Sequence, residues 1–426
     1  MKQIVRAPSL EHASWLNHVP LSKTDLEGKI VLLDFFTYCC MNCLNLLPDL
    51  KALEKEFGND FLVIGVHSAK HIHEKDDGAI KDALSRYKIE HCVINDADMK
   101  LWDAFGIKAW PSLVLIDSQG YIVSQYQGEG HLKALKINIK NLIKQSHLEN
   151  KSFVTDMIEE KRGIVHYPQQ VLCSENYLFI SQVDEVLVCS YEGIILHKLF
   201  VPEPQGMVYV NNKLYIASCL EGCIIEVSEN FSEQSSWLRG LRNPYGLESD
   251  GQHLFVSLAG AHQIKAFDLE NKQEVLVIGQ ENSESLYDGP FDTAVLAQPS
   301  GIALLEDELW FVDSESSSLR CASDNGVNSY IYDSDELQHP LDLCVGQYGD
   351  GCGGGRIFVA DSYNNTVKVY NPQTQEVLHL IEDLAEPSGI DKKACELYIC
   401  NTNAHEVLIF DLSQMKKRRL ELRDRN

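Results

Sequence analysis

Tyr38-Cys39-Cys40-Met41-Asn42-Cys43 stands one residue beyond the apolar run Lys29-Ile30-Val31-Leu32-Leu33-Asp34-Phe35-Phe36. The run reads as a buried strand, and Leu44 to Phe57 reads as a helix. A Cys-x-x-Cys at such a junction is a redox device. The partial positive charge and free N–H groups of a helix N-terminus lower the pKa of the first thiol. The second thiol, one turn on, can then close a disulfide.

Outward from this motif, residues 1–150 alternate strand and helix signals. Leu46, Leu50, Leu53 and Phe57 recur at three- and four-residue steps, which gives one apolar helix face over 45–57, and Gly58 suits its stop. Phe61–Val66 reads as a second strand and Asp77–Tyr87 as a second helix. Ser112–Asp117 and Tyr121–Tyr126 are strands separated by a turn at Gly120, and Leu132–Ile143 closes with a helix. The alternation predicts an α/β domain with a mainly parallel sheet covered on both faces.

Three residues sit at telling offsets from the cysteines. Asp34 lies inside the apolar strand, where a carboxylate is costly without a task or a partner. Pro48 falls inside the helix pattern, where proline kinks the chain. Trp110-Pro111 precedes a strand, and its peptide bond is a candidate for the cis form. Together with the Cys-x-x-Cys these resemble the thioredoxin superfamily in type and spacing. The resemblance implies that Cys40 is the nucleophile, that Cys43 resolves the mixed disulfide, and that Asp34 assists proton transfer. It also implies that the Trp110-Pro111 loop binds substrate backbone. The departures from the family pattern are Cys39, Ser112 and Met41-Asn42 between the thiols, which should move the redox potential. Cys39 stands where thioredoxin carries Trp, so Cys39 is either an alternative nucleophile or a third partner in exchange. Ser112 replaces the usual Thr.

Other chemistries have less support. Thr37-x-x-Cys40 matches part of a peroxiredoxin signature, but Leu33 stands where that signature needs proline. Zinc binding lacks a second Cys-x-x-Cys nearby. His67, His71 and His73 read as a solvated loop after the second strand. No metal and no cofactor is expected.

From about residue 163 helical periodicity gives way to short β-rich runs. Six copies of a proline-led unit begin near Pro168, Pro204, Pro244, Pro299, Pro340 and Pro387. Spacings near 40 residues with about four strands per copy predict an all-β, six-bladed propeller. Arg356-Ile-Phe-Val-Ala-Asp-Ser-Tyr-Asn-Asn-Thr-Val-Lys-Val-Tyr370, with Pro299-Ser-Gly-Ile and Pro387-Ser-Gly-Ile, resembles the NHL repeat. The polar Asp361-Ser362-x-Asn364-Asn365 turn is expected to tie blade strands together. Residues 279–297 are expected as a loop over one propeller face. The Gly-rich stretch Asp350–Gly355 reads as a flexible hairpin.

The expected limits are a thioredoxin-like domain over 1–150, a linker over 151–162, an NHL-type propeller over 163–415 and a basic tail over 416–426. The combination, with Gly28–Cys43, Ile64-Gly-Val-His-Ser-Ala-Lys70, Asn95-Asp-Ala-Asp98 and Gly128-Glu-Gly-His131, resembles the NHL-repeat proteins that carry an N-terminal thioredoxin-like domain. The net charge of -25 is uneven. Residues 1–150 hold 17 Lys and Arg against 19 Asp and Glu, whereas 151–426 hold 20 against 43. The acidic part should repel nucleic acid and anionic membranes and favour a basic protein partner. No apolar run is long enough to span a bilayer, and the N-terminus lacks a signal-peptide core, so a cytoplasmic setting is expected. The 13 cysteines of a 426-residue chain are expected to be mostly reduced, buried small hydrophobes. Two functions follow as expectations. One is a thiol–disulfide oxidoreductase whose propeller holds a disulfide-containing protein substrate or partner. The other is a non-enzymatic adaptor whose cysteines are structural or redox-sensing.

Overall fold

The computed structural model describes residues 5–145, 163–324, 326–332, 336–348 and 355–425. The expected linker at 151–162 and nearly all of the Gly-rich stretch 350–355 lie outside the described residues. The chain divides into two compact units, Met1–Glu160 and Lys161–Asn426.

The first unit is built on strands β1 (Val5–Arg6), β2 (Ser14–Trp15), β3 (Ile30–Phe36), β4 (Phe61–His67), β5 (Cys92–Asn95), β6 (Ser112–Ile116) and β7 (Tyr121–Gln127). Its helices are α1 (Lys23–Leu26), α2 (Met41–Leu44), α3 (Leu47–Phe57), α4 (Asp77–Arg86), α5 (Lys100–Phe105) and α6 (Leu132–Gln145). The sheet order is β1-β7-β6-β3-β4-β5-β2. Only β3/β4 and β4/β5 pair in parallel. The β3/β6, β6/β7, β1/β7 and β2/β5 pairs are antiparallel, so the sheet is mixed rather than mainly parallel. The cause is local: the short Asp117–Gly120 turn leaves β6 and β7 no geometry but a hairpin.

Strand alternation sorts the core into two faces. Val31, Leu33 and Phe35 pack with Trp102, Phe105 and Ile107. Ile30 and Leu32 pack with Leu46, Leu50 and Leu53 of the cysteine-bearing helical segment and with Leu135 and Ile139 of α6. Asp34 shares the parity of Ile30 and Leu32, which directs it to the helix side. The helix expected over 45–57 is α3, which begins at Leu47, and the cysteine motif forms a separate short helix, α2, just before it. Pro48 sits in the first turn of α3, where its missing N–H is one no helix would use.

The second unit is a six-bladed propeller. Each blade is built on four antiparallel strands, with the strand at or just after the repeat proline at one edge: Pro168–Cys173, Pro204–Val210, Pro244–Ser249, Pro299–Leu305, Asp342–Gly346 and Pro387–Lys393. Neighbouring inner strands approach too closely for side chains at the repeat glycines. A Cβ on Gly206 would lie 2.7 Å from Leu247 N, and one on Gly389 would lie 2.6 Å from Gln169 O. Hydroxyls staple blade to blade. Ser314 donates to Pro340 O at 2.6 Å, Ser362 to Pro387 O at 2.6 Å, and Thr402 to Pro168 O at 2.8 Å, which closes the ring. Asp361 accepts from Gln338 N at 2.7 Å and faces the Lys368 ammonium at 3.0 Å, so the NHL-like turn has the expected tying role.

Two expectations for this unit are corrected. Lys416–Arg419, expected within a basic tail, is the outer strand of the sixth blade, and Arg423–Asp424 pairs in parallel with Ile194–Ile195 of the first. The 416–419 strand is exposed along its whole length, so it carries no apolar alternation to betray it. Within 279–297, expected as a loop over a face, Gly289–Pro290 adds a strand to the outer edge of the fourth blade.

Candidate functional site

β3 ends at Phe36 and delivers Thr37, Tyr38 and Cys39 into a turn; Cys40 then occupies the N-cap position of α2 in an extended conformation. The helix it caps is one turn long, so the dipole at Cys40 is weaker than a continuous helix over 41–57 would provide. All three cysteines are buried, with Cys40 at 8% exposure against 5% for Cys39 and 1% for Cys43. Cys43 N–H donates to Cys40 O at 3.0 Å, which fixes the spacing of the two thiols along the turn. Burial first, then hydrogen bonding to Cys40 and the nearby Asp34 charge, push the Cys43 thiol well above its ordinary range.

Asp34 is 1% exposed, and neither of its carboxylate oxygens has a hydrogen-bond partner among the described residues. Burial raises its pKa to about 7. An acid in this condition exchanges its proton near neutrality, and Cys43 is close enough to feel its charge. The strand parity of Asp34 and the helical position of Cys43 thus bring together three of the residues singled out in the sequence: Asp34, Cys40 and Cys43.

Trp110-Pro111 is a cis peptide at the start of β6. The β3/β6 register pairs Phe35 with Ser112, which sets Pro111 level with the end of β3, where the cysteine turn begins. The Trp110 indole donates to Ser68 O at 3.0 Å, packs tilted at 37° against Trp102 with ring centres 4.2 Å apart, and has the Lys70 ammonium 5.2 Å from its ring centre.

The histidine run is not the solvated loop expected. His67 is the last residue of β4, wholly buried, stacked on Tyr38 at 5.3 Å, and accepts Tyr38 N–H at 3.4 Å. Burial depresses its pKa to about 3, so it is neutral. Burial also lowers His71 to about 4.

Glu74 escaped the sequence reading. It is wholly buried beside Cys39. One carboxylate oxygen accepts the Thr37 hydroxyl and Cys39 N–H (3.3 Å); the other accepts Lys70 N–H and His71 N–H, both at 3.0 Å. Its neighbours Lys70, His71, His73 and Lys75 made it look like one charge in a wet loop, and no local pattern separates the two cases.

A thioredoxin-like family profile matches residues 28–122. The chloroplastic protein SUPPRESSOR OF QUENCHING 1 of Arabidopsis thaliana is 29% identical over 94% of this chain and 46% of its own length. The NHL repeat-containing protein 2 of Gallus gallus is 30% identical over 93% of this chain and 69% of its own length. A shorter match, 22% identical over 31% of this chain and 90% of that protein, is to the thiol-disulfide oxidoreductase YkuV of Bacillus subtilis. The chain therefore spans about half of the plant relative and about two thirds of the vertebrate one. A thioredoxin-like unit with this cysteine turn, a six-bladed propeller and alignment along nearly the whole chain have one common explanation: the chain belongs to the NHL repeat-containing protein 2 family.

Proposed function

We propose that the protein is a thiol–disulfide oxidoreductase in which Cys40 is the nucleophile, Cys43 the resolving thiol and Asp34 the proton acceptor. The Cys40 thiolate attacks one sulfur of a substrate disulfide, and the other sulfur leaves as a thiolate. Cys43 then passes its proton to the Asp34 carboxylate and attacks the Cys40 sulfur. A Cys40–Cys43 disulfide forms and the second substrate sulfur departs as a thiolate. The substrate gains two electrons and the protein dithiol loses two; the reverse sequence oxidises a substrate. Trp110 and Pro111, at the edge of the same turn, are assigned to the substrate chain. The observation that carries the reading is Asp34: a buried acid with no hydrogen-bond partner among the described residues, poised to exchange a proton near neutrality beside a thiol that must lose one.

In this reading the acidic propeller holds the protein substrate or another basic partner. The cytoplasmic setting belongs to the same proposal and rests on cysteine usage, because ten of the twelve described cysteines are buried free thiols. Among the described residues no helix is long and apolar enough to cross a membrane. Cys40→Ser is expected to lower disulfide exchange with a model protein disulfide by on the order of a thousandfold while leaving the melting temperature within about 2 °C. Steady-state thiol release checks the first, and thermal unfolding the second.

One observation favours the adaptor reading: Cys39 and Cys43 are buried thiols held well above their ordinary range, a state suited to inert side chains. An adaptor would capture a partner equally well as wild type and as Cys40→Ser, and would show no exchange in either form.

A further inference from the structure

The adjacent pair Cys39-Cys40 raises a question of selectivity, and the hydrogen bonds around Glu74 answer it. An ionised carboxylate offers about four acceptor sites and no donor. Glu74 receives four donors: Thr37 Oγ1–H, Cys39 N–H, Lys70 N–H and His71 N–H. A protonated carboxyl would bring a hydrogen of its own into this set, so the donors select the charged form. Burial works the other way and raises the Glu74 pKa, which the four bonds oppose.

The Thr37 hydroxyl has a single hydrogen. With that hydrogen given to Glu74, Thr37 Oγ1 can only accept from Cys39 Sγ, 3.5 Å away. The chain runs Cys39 S–H to Thr37 O–H to Glu74, and it closes only while Cys39 keeps its proton. We propose that Glu74 is a positioning residue that decides which of the two adjacent thiols reacts: it holds Cys39 as a thiol and leaves Cys40 as the nucleophile.

The other groups facing Cys39 do not reverse this. Burial and the Glu74 charge both raise its pKa and Cys40 adds to them; Lys70 opposes them, and the Thr37 hydroxyl would oppose them too if it donated to the sulfur, but its hydrogen is committed to Glu74. A ring nitrogen of His71 lies within 4.8 Å of Cys39 Sγ, but burial and the neighbouring Lys70 and His73 keep that ring neutral. His67 Nε2, 3.9 Å from Glu74, is neutral as well.

The inference rests on the oxidoreductase reading for its significance, yet its test needs no exchange activity. Reduced full-length protein is alkylated with iodoacetamide across pH 6–10, and modification at Cys39 and Cys40 is read separately by mass spectrometry. Wild type should alkylate Cys40 at least about tenfold faster than Cys39 at pH 8, the ratio that one pKa unit of separation gives. Glu74→Gln should bring the two rates to within about threefold by moving the Cys39 profile to lower pH, with the Cys40 profile little changed. Thr37→Val, which keeps the charge but removes the relay hydroxyl, should move the Cys39 profile the same way by a smaller step, and it decides the matter if Glu74→Gln does not melt cooperatively. Equal rates in wild type, or an unchanged Cys39 profile in a folded variant, overturn the proposal. A Cys40–Cys43 pair that fails to cycle while the alkylation ratios behave as stated removes the oxidoreductase reading and leaves the role of Glu74 standing.

Discussion

Asp34→Asn is expected to stabilise the protein at pH 8 while slowing the second half of disulfide exchange. The folded-state pKa of Asp34 is about 7 against an ordinary 3.8. Between those values the native state keeps a proton that the unfolded chain has released. Stability therefore falls as pH rises from about 4 to 7 and stays reduced above that window. A separation of roughly three units sets a ceiling of about 4 kcal/mol at pH 8. Asparagine does not titrate, so the variant escapes this loss. Its amide meets the same absence of partners that the carboxylate does, and that desolvation cost brings the net gain to about 2 kcal/mol. At pH 3, where Asp34 is largely protonated in both states, only the amide's desolvation cost remains, and the variant should be about 2 kcal/mol less stable than wild type. Thermal unfolding at the two pH values measures the difference, and a variant equally stable relative to wild type at both would contradict the buried, partnerless assignment. Chemically, Asn cannot take the Cys43 proton. Mixed disulfide trapped at Cys40 should accumulate in the variant, with resolution slowed by about a hundredfold.

The second large effect lies in the propeller. Arg320 is wholly buried in the fourth blade. Its Nη1 donates to Asp313 at 2.8 Å and to Val295 O at 2.9 Å; its Nη2 donates to Asp288 and to Tyr287 O, both at 3.0 Å. The guanidinium thus ties an inner turn of the blade to the added outer segment around Asp288-Gly289-Pro290. Arg320→Ala leaves Asp313, itself wholly buried, as a charge without its partner. The expected loss is about 3–5 kcal/mol, or roughly 10 °C in the melting of a unit this size. The fifth blade supplies the control. Asp361 and Lys368 stand at the same seven-residue separation as Asp313 and Arg320, and their charges lie 3.0 Å apart. Lysine therefore suits this register, and Arg320→Lys should retain at least about half of the stability that Arg320→Ala loses, because it keeps the charge on Asp313 and gives up only the second arm of the fork. Equal melting temperatures for Arg320→Ala and wild type would contradict the tie.

Much of this architecture could be read in the residues because it rests on local, repeated chemistry. Proline, glycine and an apolar residue recur where neighbouring inner strands approach within a backbone's width, and Gly206 and Gly389 show why no other residue fits. Ser and Thr recur where a hydroxyl must reach the next blade, as Ser362 and Thr402 do. Asp34, Cys40 and Cys43 were legible for a different reason: a carboxylate in an apolar strand and two thiols one turn apart are costly or reactive wherever they sit. What escaped depends on partners distant in sequence. Glu74 differs from a surface glutamate through its burial and through the donors that the turn at 37–39 adds to the local Lys70 and His71 N–H groups. The β6/β7 hairpin follows from its short turn, but the antiparallel pairing of β3 with β6 depends on which strands become neighbours, and strand-helix alternation does not encode that. The break between α2 and α3 turns on placing Pro48 in a first turn rather than a helix interior. Lys416–Arg419 became a strand because the sixth blade offered an unpaired edge, whatever the side chains.

The central claim is that Cys40 and Cys43 form a working redox pair. Its most direct test is the equilibrium of the full-length protein against a series of glutathione buffers, read by alkylation mass spectrometry, with Cys39→Ser alongside. A reversible two-electron transition between about -200 and -300 mV is expected, with the disulfide joining Cys40 to Cys43 and the same transition in Cys39→Ser. Thiols that stay reduced throughout, or a disulfide that requires Cys39, would contradict it.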